Sequence, residues 1–186
     1  EAWAKRFDDP ERDAWQKPDA VVASLKLSSA ARVADLGAGT GYFAVRLARA
    51  VPAGQVYAID IEPDMVRYLT ERGQREGLAN LSAVQGRADG PALPEPVDVV
   101  FLCDVYHHLT GRSAYFAEVA AGLRPGGRVV IVDFKPDAPE GTPGPPARHR
   151  IGVPQVDAEL ADAGLVRVAL DESTLPFQYV ATYERR

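Results

Sequence analysis

Short apolar runs separated by amphipathic stretches organise this chain. The runs near 31–36, 55–60, 81–85, 97–103, 127–134, 165–171 and 176–183 predict strands, and helical spacing near 41–50, 63–77, 112–123 and 153–163 predicts helices between them. Pro63 and Pro154 suit first-turn positions, and Gly73 or Gly77 and Gly164 suit helix ends. Ahead of the first strand, Trp15, Val21, Val22 and Leu25 recur at helical spacing, with Pro18 marking a break and a new helix start. The organisation expected is an N-terminal helical arm over residues 1–30 and one α/β domain over 31–186.

Strands alternating with helices give a mostly parallel sheet with right-handed crossovers and helices on both faces. Ligands bind such sheets at the carboxyl edge, the edge the arm is expected to cover. The polar turn Asp171-Glu-Ser-Thr174 predicts a hairpin, which makes the last strand antiparallel. From Lys135 to Arg150, Pro136, Pro139, Pro143, Pro145 and Pro146 with Gly141 and Gly144 preclude regular structure. That loop leaves the ligand edge after the fifth strand, so a lid is expected.

Candidate chemistry starts at Asp35-Leu-Gly-Ala-Gly-Thr-Gly41, a glycine-rich turn between a strand and a helix. Its glycines allow close backbone approach, and backbone N–H groups at a helix start are expected to face a ligand. A dinucleotide fingerprint wants a sixth-position glycine, and that position here is Tyr42. No Gly-Lys-Ser/Thr follows, which excludes a phosphate-cradling hydrolase loop. Asp35 would repel a polyanion and attract an ammonium, which suits a cofactor carrying an amino acid. Asp60, ending the next strand, stands where a ribose-binding acid is expected.

With these residues, Phe101-Leu-Cys-Asp-Val-Tyr-His-His-Leu109 and Leu123-Arg-Pro-Gly-Gly-Arg-Val-Val-Ile-Val-Asp133 in the same order, the chain resembles the class I S-adenosylmethionine-dependent methyltransferases. It looks most like the small bacterial members with a Gly-Ala-Gly-Thr-Gly loop. The resemblance implies a Rossmann-like seven-stranded sheet of order 3-2-1-4-5-7-6. It implies S-adenosyl-L-methionine as methyl donor, S-adenosyl-L-homocysteine as product and direct displacement onto a small-molecule acceptor. For the cofactor it points to Asp35, Gly37, Ala38, Gly39, Gly41, Asp60, the apolar wall Ile61, and a backbone carbonyl near Cys103. The family's Gly-Asp-Ala segment here reads Gly86-Arg87-Ala88-Asp89, so Ala88 and Asp89 are the adenine-side candidates. His107, His108 and Asp104 follow the fourth strand as catalytic candidates, since a histidine there can take a proton near neutral pH. Trp15, Gln16, Tyr42, Tyr106 and His149 are candidates for the acceptor side. Two other readings stand beside this one: a non-catalytic cofactor-binding or sensing protein, and a nicotinamide-dependent oxidoreductase.

Composition narrows the partners. At 186 residues, 46% hydrophobic and with a net charge of −5, the chain reads as a single soluble domain with no basic run for nucleic acid. Cys103 is the lone cysteine and reads as core. No run of 18 apolar residues is present, so no membrane span is expected, and the location expected is cytoplasmic. A chain starting at Glu1 leaves room for a removed N-terminal targeting segment. A monomer or a homodimer is expected. Asp104 and Asp133 could offer oxygen ligands, but no Asp-Asn pair follows the fifth strand, and no metal is expected.

Overall fold

The computed structural model describes residues 11–186; residues 1–10 of the arm expected over 1–30 lie outside the described residues. The described part of the arm contains α1 (Glu11–Gln16) and α2 (Pro18–Ser24). Lys17 between them takes φ 43°, and Pro18 opens α2, because a proline cannot donate into a preceding helix but fits a first turn. Then follow β1 (Arg32–Leu36), α3 (Ala44–Ala50), β2 (Gln55–Asp60), α4 (Pro63–Arg75), β3 (Leu81–Gln85), β4 (Val97–Cys103), α5 (Arg112–Ala121), β5 (Leu123–Phe134), α6 (Val153–Asp162), β6 (Leu165–Asp171) and β7 (Gln178–Arg185).

The seven strands lie in the order β3-β2-β1-β4-β5-β7-β6. Pairings from β3 through β5 are parallel, and β7 runs antiparallel to both β5 and β6. This is the Rossmann-like sheet expected. Its middle strands are apolar on both faces: Ala34, Leu36, Val100, Leu102 and Ile131 pack with α5 and α6, while Val33, Val99, Phe101, Val130 and Val132 pack with α3 and the arm.

Strand β5 begins at Leu123, four residues earlier than its apolar run. Leu123 pairs with Val97, and the next pair is Arg128 with Val99. The residues between them bulge out, with Gly126 at φ 74°. Pairing with β7 starts only at Arg128, so the missing N–H of Pro125 interrupts no ladder. At the other end of the sheet the β6–β7 turn is tied by Asp171, whose Oδ1 accepts from Ser173 N, Ser173 Oγ and Thr174 N. Hydrogen bonds from Thr174, its side chain first, and then from Ser173 hold its carboxyl well below the usual carboxylate range.

The proline-rich loop is pinned at several points. Arg150 donates to the carbonyls of Pro145 at 3.0 Å and Ala138 at 2.7 Å. Gly144, at φ 104°, lies so close to the Phe134 ring that a Cβ there would sit 2.3 Å from Cζ. No helix among the described residues is long and apolar enough to cross a membrane.

Candidate functional site

The glycine turn is hung on the end of β2. Gly37 and Ala38 both donate to the Ile59 carbonyl, at 2.8 and 3.0 Å, and Gly41 donates to Ala38 at 2.8 Å. Gly39 N donates to Asp60 Oδ2 at 2.8 Å, and Glu62 N to Asp60 Oδ1 at 3.0 Å. The expectation that free N–H groups would face a ligand is therefore corrected. The turn from β1 into α3 thus commits the N–H groups of Gly37, Ala38, Gly39 and Gly41 within the protein, leaving no cradle of glycine N–H groups for phosphate. The side that remains open is at Gly39, where a Cβ would meet nothing within 4 Å.

What the turn presents is carboxylate. Asp35, last but one in β1, is 3% exposed; the Ala44 N–H that starts α3 donates to it, while its Oδ2 has no partner. Burial, and then the charge of Asp60, push its pKa up to about 8, against the pull of Arg12 and the Ala44 N–H. The folded pKa lies above the ordinary value of 3.8, so this group weakens the fold as pH rises from there to about 8. A buried acid with an orphaned oxygen is costly unless a cation or donor arrives. Beside it Asp60 is 9% exposed and Ile61, 55% exposed, offers an apolar surface.

The end of β4 adds a second polar layer. Asp104 sits at φ 61°, strained for a non-glycine residue, and its N–H bonds Val132 at 3.0 Å. Its carboxylate receives Gln16 Nε2 at 3.0 Å, Gln178 Nε2 and the Arg12 guanidinium at 3.3 Å. Gln16, fully buried, also donates to Cys103 Sγ at 3.0 Å and Gln178 Oε1 at 2.9 Å. Burial pushes the Cys103 thiol up, so it stays protonated and packs. Asp104 is also raised by burial, with Arg12 opposing.

His107 and Asp133 form a buried pair. Nδ1 lies 2.9 Å from Asp133 Oδ1, and His107 N donates to Oδ2 at 3.2 Å. The Asp133 carboxylate also accepts Phe134 N at 2.7 Å. Burial lowers the His107 pKa, but the Asp133 hydrogen bond and charge outweigh it and leave the pKa raised. The His108 ring lies tilted against that of His107, with ring centres 4.1 Å apart; burial and the His107 charge lower its pKa, as does His149 from the proline-rich loop. All three histidines of the chain thus gather at this edge.

Other candidates are placed differently. Tyr106, expected on the acceptor side, is 0% exposed, packed on Phe116 and bonded to Glu159. It has no surface left for a substrate, because the short helical turn at Tyr106–His108 turns this side chain into the core. Trp15 packs on Phe134 and Phe177. Tyr42 donates to Asp13 and lies between the Arg12 and Arg46 guanidinia, 4.0 and 4.4 Å from its centroid. Both rings anchor α1. Ala88 and Asp89 are exposed, with Asp89 paired to Arg87 at 3.1 Å. Arg12, Gln178 and the pairing role of Asp133 escaped the sequence reading. No local pattern links residues so far apart, although inward Gln178 in an apolar strand was a visible oddity.

A family model described as a methyltransferase domain matches residues 33–127, just over half of the 186 residues. The chain belongs to that family. Among curated relatives, this methyltransferase domain is 36% identical over 105 residues to malonyl-[acyl-carrier protein] O-methyltransferase of Methylococcus capsulatus, covering 56% of the chain and 38% of the relative. It is 35% identical over 108 residues to the ubiquinone/menaquinone biosynthesis C-methyltransferase UbiE of Pseudomonas putida, covering 55% and 41%. The chain spans about a third to a little over half the length of the curated relatives it matches. Among solved structures, a SAM-dependent methyltransferase from Aquifex aeolicus superposes with a TM-score of 0.87 at 27% identity, over 96% of this chain and 95% of that one. The mitomycin 7-O-methyltransferase MmcR shares the fold, with a TM-score of 0.76 at 17% identity, over 99% of this chain and 60% of that one.

Proposed function

We propose that the domain is an S-adenosyl-L-methionine-dependent methyltransferase acting on a small-molecule acceptor. The observation that carries this reading is Asp35: a buried acid with an unpartnered oxygen, beside a turn whose Gly37, Ala38, Gly39 and Gly41 N–H groups are already spent. Such a site favours a cation over a phosphate, which speaks against a nicotinamide dinucleotide. S-adenosylmethionine, when bound, supplies an activated methyl group and leaves as S-adenosylhomocysteine. Asp35 would hold the ammonium of its amino-acid end. Asp60, oriented by Gly39 and Glu62, keeps lone pairs for the ribose hydroxyls, and Ile61 would lie along the adenine.

Of the two adjacent histidines, His107 suits proton removal from the acceptor, because Asp133 fixes its ring and raises its basicity. Asp133 acts on the acceptor only through that ring. The remaining work is positioning, which for a transfer of this kind supplies much of the rate. That the curated relatives are O- and C-methyltransferases supports the reaction class without fixing the acceptor.

Binding tests the reading directly. The domain should bind S-adenosylhomocysteine far better than NAD, and Asp60→Ala should weaken that binding by about 1–3 kcal/mol through lost charge-assisted hydrogen bonds. Calorimetry that finds NAD the tighter ligand would sink it. A second result is expected from Asp35. Its proton, retained to about pH 8 in the free fold, must leave when an ammonium takes its place. Binding at pH 7 should therefore release about one proton, and affinity should climb with pH until about 8. Calorimetry in buffers of different ionisation heat measures this release, and Asp35→Asn should abolish it.

A further inference from the structure

The arm brings a cation to the acid-lined end of the sheet. The Arg12 guanidinium lies 4.0 Å from the centroid of the Tyr42 ring on the glycine turn and 3.3 Å from Asp104 after β4. It also bonds Gln16, and its charge is felt at Asp35 and Cys103. Its side chain is only 15% exposed. Arg46, on the other side of Tyr42, is committed to Asp13, to Asp19 and to the Tyr42 carbonyl. Arg72 reaches the turn from α4 but bridges Glu76 and the Thr40 carbonyl. Among the described residues, Arg12 is the cation that reaches inward, between the ends of β1 and β4.

An amino-acid end carries two opposite charges on one carbon. Asp35 answers the ammonium, but a carboxylate placed next to it meets Asp35, Asp60 and Asp104 and would be repelled. A guanidinium removes that penalty, and its planar fork matches a carboxylate in shape. With five N–H donors it can serve a ligand as well as Asp104. Resting on the cofactor reading above, we propose that Arg12 holds the α-carboxylate of the cofactor's amino-acid end, which makes the arm part of the cofactor site. The arm then docks more firmly in response to the amino-acid end and not to the nucleoside.

Two ligands separate these ends. S-adenosylhomocysteine has the amino acid; 5′-methylthioadenosine keeps the nucleoside and thioether and lacks it. By calorimetry, Arg12→Met should weaken S-adenosylhomocysteine by about 10–100-fold, the range of a lost charge-assisted contact, and leave methylthioadenosine within about twofold. Arg12→Lys should fall between wild type and Arg12→Met. In the wild-type chain, S-adenosylhomocysteine should slow tryptic cleavage after Arg12, and methylthioadenosine should not. Equal losses for both ligands in Arg12→Met, or no loss for either, would overturn the proposal. Should Arg12→Met fail to fold, equal tryptic protection by both ligands would overturn it by itself. Wild type binding NAD and neither adenosyl ligand would instead overturn the cofactor reading, and the role of Arg12 with it.

Discussion

Replacing His107 with Gln should lower turnover by about 10²–10⁴-fold, the contribution typical of a positioned general base, while affinity for S-adenosylhomocysteine stays nearly unchanged. The readout is product formation at saturating cofactor with an acceptor whose receiving atom carries a proton. The acidic limb of the pH–rate profile is the sharper measure. Only neutral imidazole accepts a proton, so the wild-type rate should fall as pH drops through the raised pKa of His107. Asp133→Asn keeps the shape of the pair and removes the charge that raises that pKa. It should lower the maximal rate and move the acidic limb to lower pH, a shift that loss of packing alone would not produce. His108 is exposed, has its pKa lowered and has no carboxylate partner comparable to Asp133, so His108→Gln should matter far less. A full rate with an unaltered profile in His107→Gln would remove the base and leave positioning as the mechanism.

The second large effect concerns the glycine turn, where neighbouring glycines serve different ends. Gly37 has φ 69°, and a Cβ there would lie 2.4 Å from Val105 Cγ2 and 3.0 Å from its Cγ1. Val105 is β-branched and packed against the core, so it cannot swing aside cheaply. Left-handed strain and overpacking together should make Gly37→Ala less stable by about 2–4 kcal/mol. Gly39, at φ 55°, faces open space. Gly39→Ala should therefore cost only about 1–2 kcal/mol of strain, yet, on the proposed reading, place a methyl group on the face offered to the cofactor and weaken S-adenosylhomocysteine by more than tenfold. Chemical denaturation and calorimetry on the two variants separate the effects. Undiminished binding in Gly39→Ala would mean that the open side of the turn is not the ligand face.

Much of the fold was legible because local signals agreed with the global one. Apolar runs bounded by turn residues gave each strand within a few residues, and Pro18, Pro63 and Pro154 each open or lie in the first turn of a helix. The departure at β5 has a local cause: a bulge over Pro125 and Gly126 lets Leu123 pair with Val97 ahead of the apolar run, and pairing resumes at Arg128. The hairpin turn at Asp171 was readable because its bonds lie within three residues.

The site divided along a different line. Sequence alone determined the glycine turn, the acids Asp35 and Asp60 and the histidine segment after β4, since each is a short motif whose spacing carries its chemistry. Tertiary structure decided which groups those motifs meet. The turn spends glycine N–H groups on Ile59 and Asp60, which leaves the buried acid of Asp35, with its unpartnered oxygen, as the polar group beside it. One residue's phase around a short helical turn sends Tyr106 into the core and His107 onto Asp133. Arg12 and Gln16 meet Asp104 across about 90 residues of chain, and Gln16 meets Gln178 across 162. Buried polar groups must find partners wherever the fold brings them, and that requirement acts through space, where sequence spacing carries no record of it.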